Sequence, residues 1–138
     1  MYKLLFLLIG FLLISCGNQD PNEQLKYLNG YWAIEKVRLP DGTEKEFKIS
    51  NTVDFIEVTG KNGIRKKVQP KLDGTFETSN NTETFELKIE ADSLHLYYTT
   101  PYDSWKETVL KAKDSSLVVY NRDKKMYFYK KFTPFNFN

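Results

Sequence analysis

From residue 30 onward, apolar side chains recur at every second position in short runs, and turn-forming residues separate the runs. The clearest run is 84–90, where Phe85, Leu87 and Ile89 alternate with Thr84, Glu86, Lys88 and Glu90. A period of two belongs to a strand with one face on a core and the other in water. Residues 93–99 repeat it, with Leu94, Leu96 and Tyr98 on one side and His95 on the other. Ala91-Asp92 lies between them, so the two runs read as a hairpin. Further strands are predicted over 31–39, 44–49, 53–59, 64–71, 75–78, 105–112, 116–120 and 125–132. In the fourth, Ile64, Lys66 and Val68 share a side, and in the last, Met126, Phe128 and Phe132 do. Pro40-Asp41-Gly42, Gly60-Lys61-Asn62-Gly63, Asp73-Gly74, Asn80-Asn81 and Asn121-Arg122-Asp123-Lys124 supply breaks with turn chemistry. Residues 25–29 predict a short helical turn ahead of the first strand. No later stretch has a helical period. Turns recurring every eight to twelve residues or so predict an all-β domain. Short links favour antiparallel neighbours, and about eight to ten such strands close into an up-and-down β-barrel without exposed edges.

The N-terminus carries a different pattern. Lys3 precedes an unbroken apolar run from Leu4 to Ile14, the length of a signal-peptide core and too short for a membrane span. Leu13-Ile14-Ser15-Cys16-Gly17 follows in the order aliphatic, aliphatic, small, cysteine, which resembles the lipobox of bacterial lipoproteins. That resemblance implies a signal peptide over 1–15, cleavage before Cys16, and a lipid on its sulfur that joins the protein to a membrane. Residues 17–24 are polar without an apolar period. Residues 16–29 therefore read as lipidated cysteine and tether, and 30–138 as the barrel domain. The address this implies is the cell envelope. The absence of aspartate after Cys16 favours the outer membrane by analogy, with the periplasmic or surface face left open.

Composition narrows the chemistry. Cys16 is the sole cysteine, so no disulfide framework exists. The 20 basic residues include Lys3 of the leader and face 18 acidic ones. A near-neutral mature chain gives no electrostatic case for nucleic acid, despite the bases and aromatics interleaved over 127–132. His95 is the single histidine, and its parity sets it opposite the core. No metal-ligand spacing, nucleophile motif or phosphate-binding glycine loop occurs, so no metal, cofactor or catalytic residue is expected and the chain does not read as an enzyme.

Leu28-Asn29-Gly30-Tyr31-Trp32 carries a Gly-x-Trp at the entrance of the first strand. With the short helical turn before it and the hairpins after it, this resembles the opening signature of lipocalins. The whole layout resembles the lipocalin-like lipoproteins of Bacteroidetes. The resemblance implies that Trp32 closes one barrel end and Gly30 allows the tight entry. Asp92-Ser93-Leu94 also resembles the Asp-Ser/Thr-aliphatic sequence glycosylated on exported proteins of that group, which implies an O-glycan on Ser93.

Two functions fit. One is a membrane-anchored barrel holding a small hydrophobic or amphipathic ligand, with Phe85, Leu87, Leu94, Leu96, Tyr98, Trp105, Val109 and Phe128 as its lining. The same residues suit a filled core. In that second reading the protein is a structural or interaction lipoprotein that offers exposed aromatics such as Tyr97, Tyr127 and Tyr129 to a partner of unknown identity.

Overall fold

The computed structural model describes residues 19–48 and 52–134, apart from the side chains of residues 79 and 80. The predicted leader 1–15, Cys16, Ile49, Phe135 and Phe137 lie outside these residues. One short helix, α1 (Pro21–Leu25), precedes nine strands: β1 (Gly30–Arg38), β2 (Glu44–Glu46), β3 (Val53–Thr59), β4 (Asn62–Pro70), β5 (Phe76–Glu90), β6 (Ser93–Thr99), β7 (Ser104–Ala112), β8 (Ser116–Tyr120) and β9 (Met126–Lys131).

The strands pair in the order β2-β1-β3-β4-β5-β6-β7-β8-β9, and β1 also pairs with β9. That last pairing closes eight antiparallel strands into a barrel, as the hairpin pattern predicts. β1 shares one edge between two partners. Its residues Gly30 to Trp32 pair with β3, and Lys36 to Arg38 pair with β2. Its other edge runs along β9 from Trp32 to Arg38.

Three irregularities shape the wall. The register shifts between Ile34 and Lys36 on β1, between Lys66 and Val68 on β4, and between Val109 and Lys111 on β7. The first and third are bulges that add a residue to β1 and β7 and reset which positions face inward, whereas at the second β5 spends three residues opposite the single Lys67 of β4. Thus Val109 and Ala112 are both buried although they stand three positions apart, and Leu110 between them is exposed.

Two predicted breaks move. Asn80-Asn81 does not end a strand; β5 runs through it as one 15-residue element, with its irregularity opposite Lys67. The Gly60-Lys61-Asn62-Gly63 turn contracts to Gly60-Lys61, since Thr59 pairs with Asn62 and Gly63 lies inside β4. Ile89, predicted to face the core, is 44% exposed where the β5–β6 hairpin overhangs the barrel.

The helix lies upstream of its predicted place. Asp20 caps it by accepting the Asn22 backbone N–H at 2.9 Å, and Pro21 occupies its first turn. The predicted tether over 16–29 is correspondingly shortened. The Gln19 side chain donates to the Ala112 carbonyl at 2.7 Å and accepts from the Ala112 N–H at 3.0 Å, and Gln24 is buried. From Gln19 on, the chain is docked against the barrel.

Trp32 is fully buried at this end and donates its indole N–H to the Leu28 carbonyl at 2.9 Å. Leu28, Ile56, Leu87, Leu94, Leu96, Val109, Ala112, Leu117 and Val119 pack with it into one apolar core. Gly30 enters the strand at φ +131°, and a Cβ there would collide with the Lys131 side chain. Lys131 lies over the Trp32 ring at 4.5 Å and donates to the Asn29 carbonyl at 2.7 Å, which locks the start of β1 to the end of β9.

Candidate functional site

The half of the barrel away from α1 is built differently. Asp54 occupies an inward position of β3, opposite Trp32 on β1 and Lys67 on β4. Arg65 on β4 faces the same interior and pairs with Ile56 and with Glu83 of β5. Its guanidinium is the hub of a polar layer. One terminal nitrogen, Nη2, donates to Asp54 at 2.7 Å and to the Tyr129 hydroxyl at 2.6 Å. The other, Nη1, reaches the Tyr98 hydroxyl and Glu107, both at 3.3 Å. Lys67 adds a contact to the second Asp54 oxygen at 3.2 Å. The Trp105 indole N–H lies 3.3 Å from Glu107, and the Trp105 ring stacks on Tyr98 at 5.0 Å.

The electrostatics follow from burial and pairing. Burial alone pushes the Asp54 carboxyl up, but Arg65 and Lys67 outweigh it and hold it below the usual carboxylate range. Burial likewise opposes the charge on Arg65, while Tyr129, Tyr98, Asp54 and Glu107 overcome that penalty and keep it protonated. Burial drives both phenols, Tyr98 and Tyr129, well up, so they stay neutral donors and acceptors. Glu83 moves the other way from Asp54. Burial raises it, Arg65 offsets part of that, and Glu107 and Asp54 raise it further.

Above this layer lies an open cavity of about 710 Å³. Arg65, Asp54, Glu83 and Glu107 line its floor, and Trp105, Tyr127 and Tyr129 give its aromatic wall. Thr52, Gln69, Glu77, Thr78 and Asn121 ring the mouth. At the rim Asn121 reaches the Tyr127 hydroxyl at 3.4 Å, and Arg122 lies over Trp105 at 5.5 Å while paired to Asp103 at 2.7 Å. The volume falls in the range of small-molecule sites. Among the described residues, no three His, Cys, Asp or Glu side chains stand where they could hold a metal ion.

The eight residues predicted as lining divide three ways. Phe85, Leu87, Leu94, Leu96, Tyr98 and Val109 are buried together in the apolar core, and of these only Tyr98 joins the polar layer, through its hydroxyl at Arg65. Trp105 lines the cavity. Phe128 does not face the interior at all: it lies on the outer wall beneath Lys36 and Arg38, at 4.7 and 5.0 Å. The parity of β9 is thus the reverse of the prediction. Tyr127 and Tyr129 turn inward, so neither offers a free aromatic to a partner; Tyr129 is only 7% exposed. The cause is Arg65, which supplies the partner that a buried tyrosine hydroxyl needs. Tyr97 is on the outer face and bonds Glu90. His95 is partly covered there, 2.8 Å from the Thr108 hydroxyl. Ser93 opens β6 opposite Glu90 and is half-buried.

Asp54, Arg65, Glu83 and Glu107 are absent from the predicted site. The prediction grouped Ile64, Lys66 and Val68 on one side of their strand and did not single out Arg65. In the structure Arg65 is inside, and Lys66 lies over Phe55 on the outer wall at 5.5 Å. One signal was present in the sequence: Asp54 interrupts the apolar run Val53-Asp54-Phe55-Ile56, where a carboxylate needs a buried partner.

No curated protein matches the chain. Among solved structures it is similar to a lipocalin-like protein from Bacteroides uniformis, at 13% identity and TM-score 0.48, covering 76% of this chain and 98% of that one. It is also similar to an uncharacterized protein from Bacteroides eggerthii, at 11% identity and TM-score 0.47, covering 76% and 99%. The family model of the lipocalin-like domain matches residues 28–119, from the buried Leu28 before the Gly-x-Trp entrance to the inward Val119 of β8. The chain belongs to the lipocalin-like domain family.

Proposed function

We propose that this protein is a lipid-anchored binding module of the cell envelope, whose barrel takes a small amphipathic ligand at its open end. The cavity of about 710 Å³ carries this reading, because a barrel filled by its own side chains leaves no such space. Its aromatic wall suits an apolar body, and its charged floor suits a polar head. Arg65 and Lys67 are engaged with Asp54 and Glu107, which fits binding rather than catalysis. The anchor is the lipid on Cys16, and the outer membrane is its destination.

The ligand site is tested with the neutral dye Nile red and the purified chain. Saturable fluorescence gain and a raised melting temperature are expected, both diminished by Thr78→Trp, which fills the mouth. Absence of uptake would instead favour a structural or interaction lipoprotein. The anchor is tested in cells. Labelled palmitate should enter the wild-type protein and not Cys16→Ala, and the variant should leave the membrane fraction. Retention of label in Cys16→Ala would reject the anchor.

A further inference from the structure

The cations and anions of the cavity do not balance. Arg65 is engaged by two carboxylates and two phenols at once. Lys67 pairs with Asp54, and Lys66, which also borders the cavity, holds its ammonium over the Phe55 ring. The floor thus sets Arg65 and Lys67 against three inward carboxylates, Asp54, Glu107 and Glu83. Glu83 is the one left over. It is directly opposite Arg65 in the β4–β5 ladder, yet its side chain makes no hydrogen bond or ion pair with the described residues, and Glu107 and Asp54 both press on it electrostatically. The second Glu107 oxygen has only the long contact from the Trp105 indole. A half-buried carboxylate facing an open cavity beside an aromatic wall is the complement of a cation.

We infer that the occupant carries an amine or other organic ammonium group, held by Glu83 and Glu107 on the floor, with an apolar or aromatic body against Trp105 and Tyr127. This rests on the binding-module reading and names the class of ligand for that same site. An anionic head has no comparable place. It would have to displace Asp54 or Glu107 from Arg65, leaving a buried carboxylate without its partner. An ammonium adds a partner and displaces none.

Calorimetry on the full chain with three probes of one shape separates the possibilities. Phenethylamine, phenethyl alcohol and 3-phenylpropionate share a ring and a two-carbon arm and carry a cation, a neutral group and an anion. The amine is expected to bind on the order of tenfold or more tighter than the carboxylate. Glu83→Gln, nearly isosteric at a position without a protein partner, should erase that preference while keeping a cooperative melt. Equal or tighter binding of 3-phenylpropionate would overturn the inference, as would an amine affinity unchanged by Glu83→Gln. If Nile red enters the cavity and phenethylamine does not bind, the ammonium inference falls and the binding module stands. If neither enters, both fall.

Discussion

Arg65 joins four side chains from four other strands, so its removal is felt across the whole cross-section of the barrel. Arg65→Met would strand Asp54 and Glu107 in the interior without their main cation. Removing one partner of a buried pair costs about 3–5 kcal/mol. A drop of that order in the urea unfolding free energy, at constant slope, is the expected result. A loss below about 1 kcal/mol would mean that the layer does not hold the barrel together. Acid should act through Asp54. Its folded carboxyl is held below the unfolded value, so its contribution is full above the ordinary aspartate range and is lost as pH falls through the folded value. Glu83 has the opposite sign. Its folded carboxyl is raised, so its contribution is present below the ordinary glutamate range and is lost as pH rises through the folded value. Glu83→Gln should therefore unfold at higher urea than the wild type at neutral pH, with the gap closing in acid. Urea midpoints of both proteins across that pH range check the sign. This polar layer was nearly illegible in the sequence. A charged residue at an alternating position reads as solvent-facing, and only the structure brings Asp54, Arg65 and Glu107 together from three separate strands.

At the scale of the strand, legibility depended on whether a turn was written in side-chain chemistry or implied by a change in pattern. Asp41-Gly42-Thr43 and Asp73-Gly74-Thr75 are the same device twice. In each, the aspartate accepts from the threonine N–H at 2.9 Å and from its hydroxyl at 2.6 Å. Both were legible because an Asx turn is a local event. Asn80-Asn81 carries similar residues and makes no turn, because the ladder with β4 resumes beyond the irregularity. Bulges escaped notice for the same reason: they are a relation between two strands. The parity of β9 was set by a partner on β4, so the period alone could not give it. Gly63 shows how tightly one ladder is fitted. It faces Phe85 directly, and a Cβ there would overlap the Phe85 ring and come within 3.0 Å of the Glu57 carbonyl. Gly63→Ala is expected to cost about 1–3 kcal/mol by overpacking. Pairing it with Phe85→Leu should recover part of that loss, a coupling that a double-mutant cycle of melting curves would reveal. Simple addition of the two losses would show that the ring and the glycine are independent.

For the whole molecule, the hairpin order and all-β class were legible from periodicity, and the closed end from Gly30 and Trp32. The division of the interior into an apolar half and a charged half was not, since both halves are made by the same strands. Trp32 fills the closed half and bridges to Leu28, so Trp32→Ala should cost about 3–5 kcal/mol through the void it leaves. A smaller shift in thermal unfolding would show that α1 collapses into the space.

The closing ladder between β1 and β9 also dictates an order of events. Its partners are separated by about a hundred residues, so it carries one of the largest loop-closure costs in the fold. Until β9 arrives, the sheet stands open like a slit tube, with the edges of β1 and β8 both vacant. The β9 of a second copy fits that vacancy as well as the chain's own. Refolding should therefore respond to concentration, giving monomers on dilution and strand-exchanged pairs when crowded, which size-exclusion chromatography after refolding at two concentrations would separate.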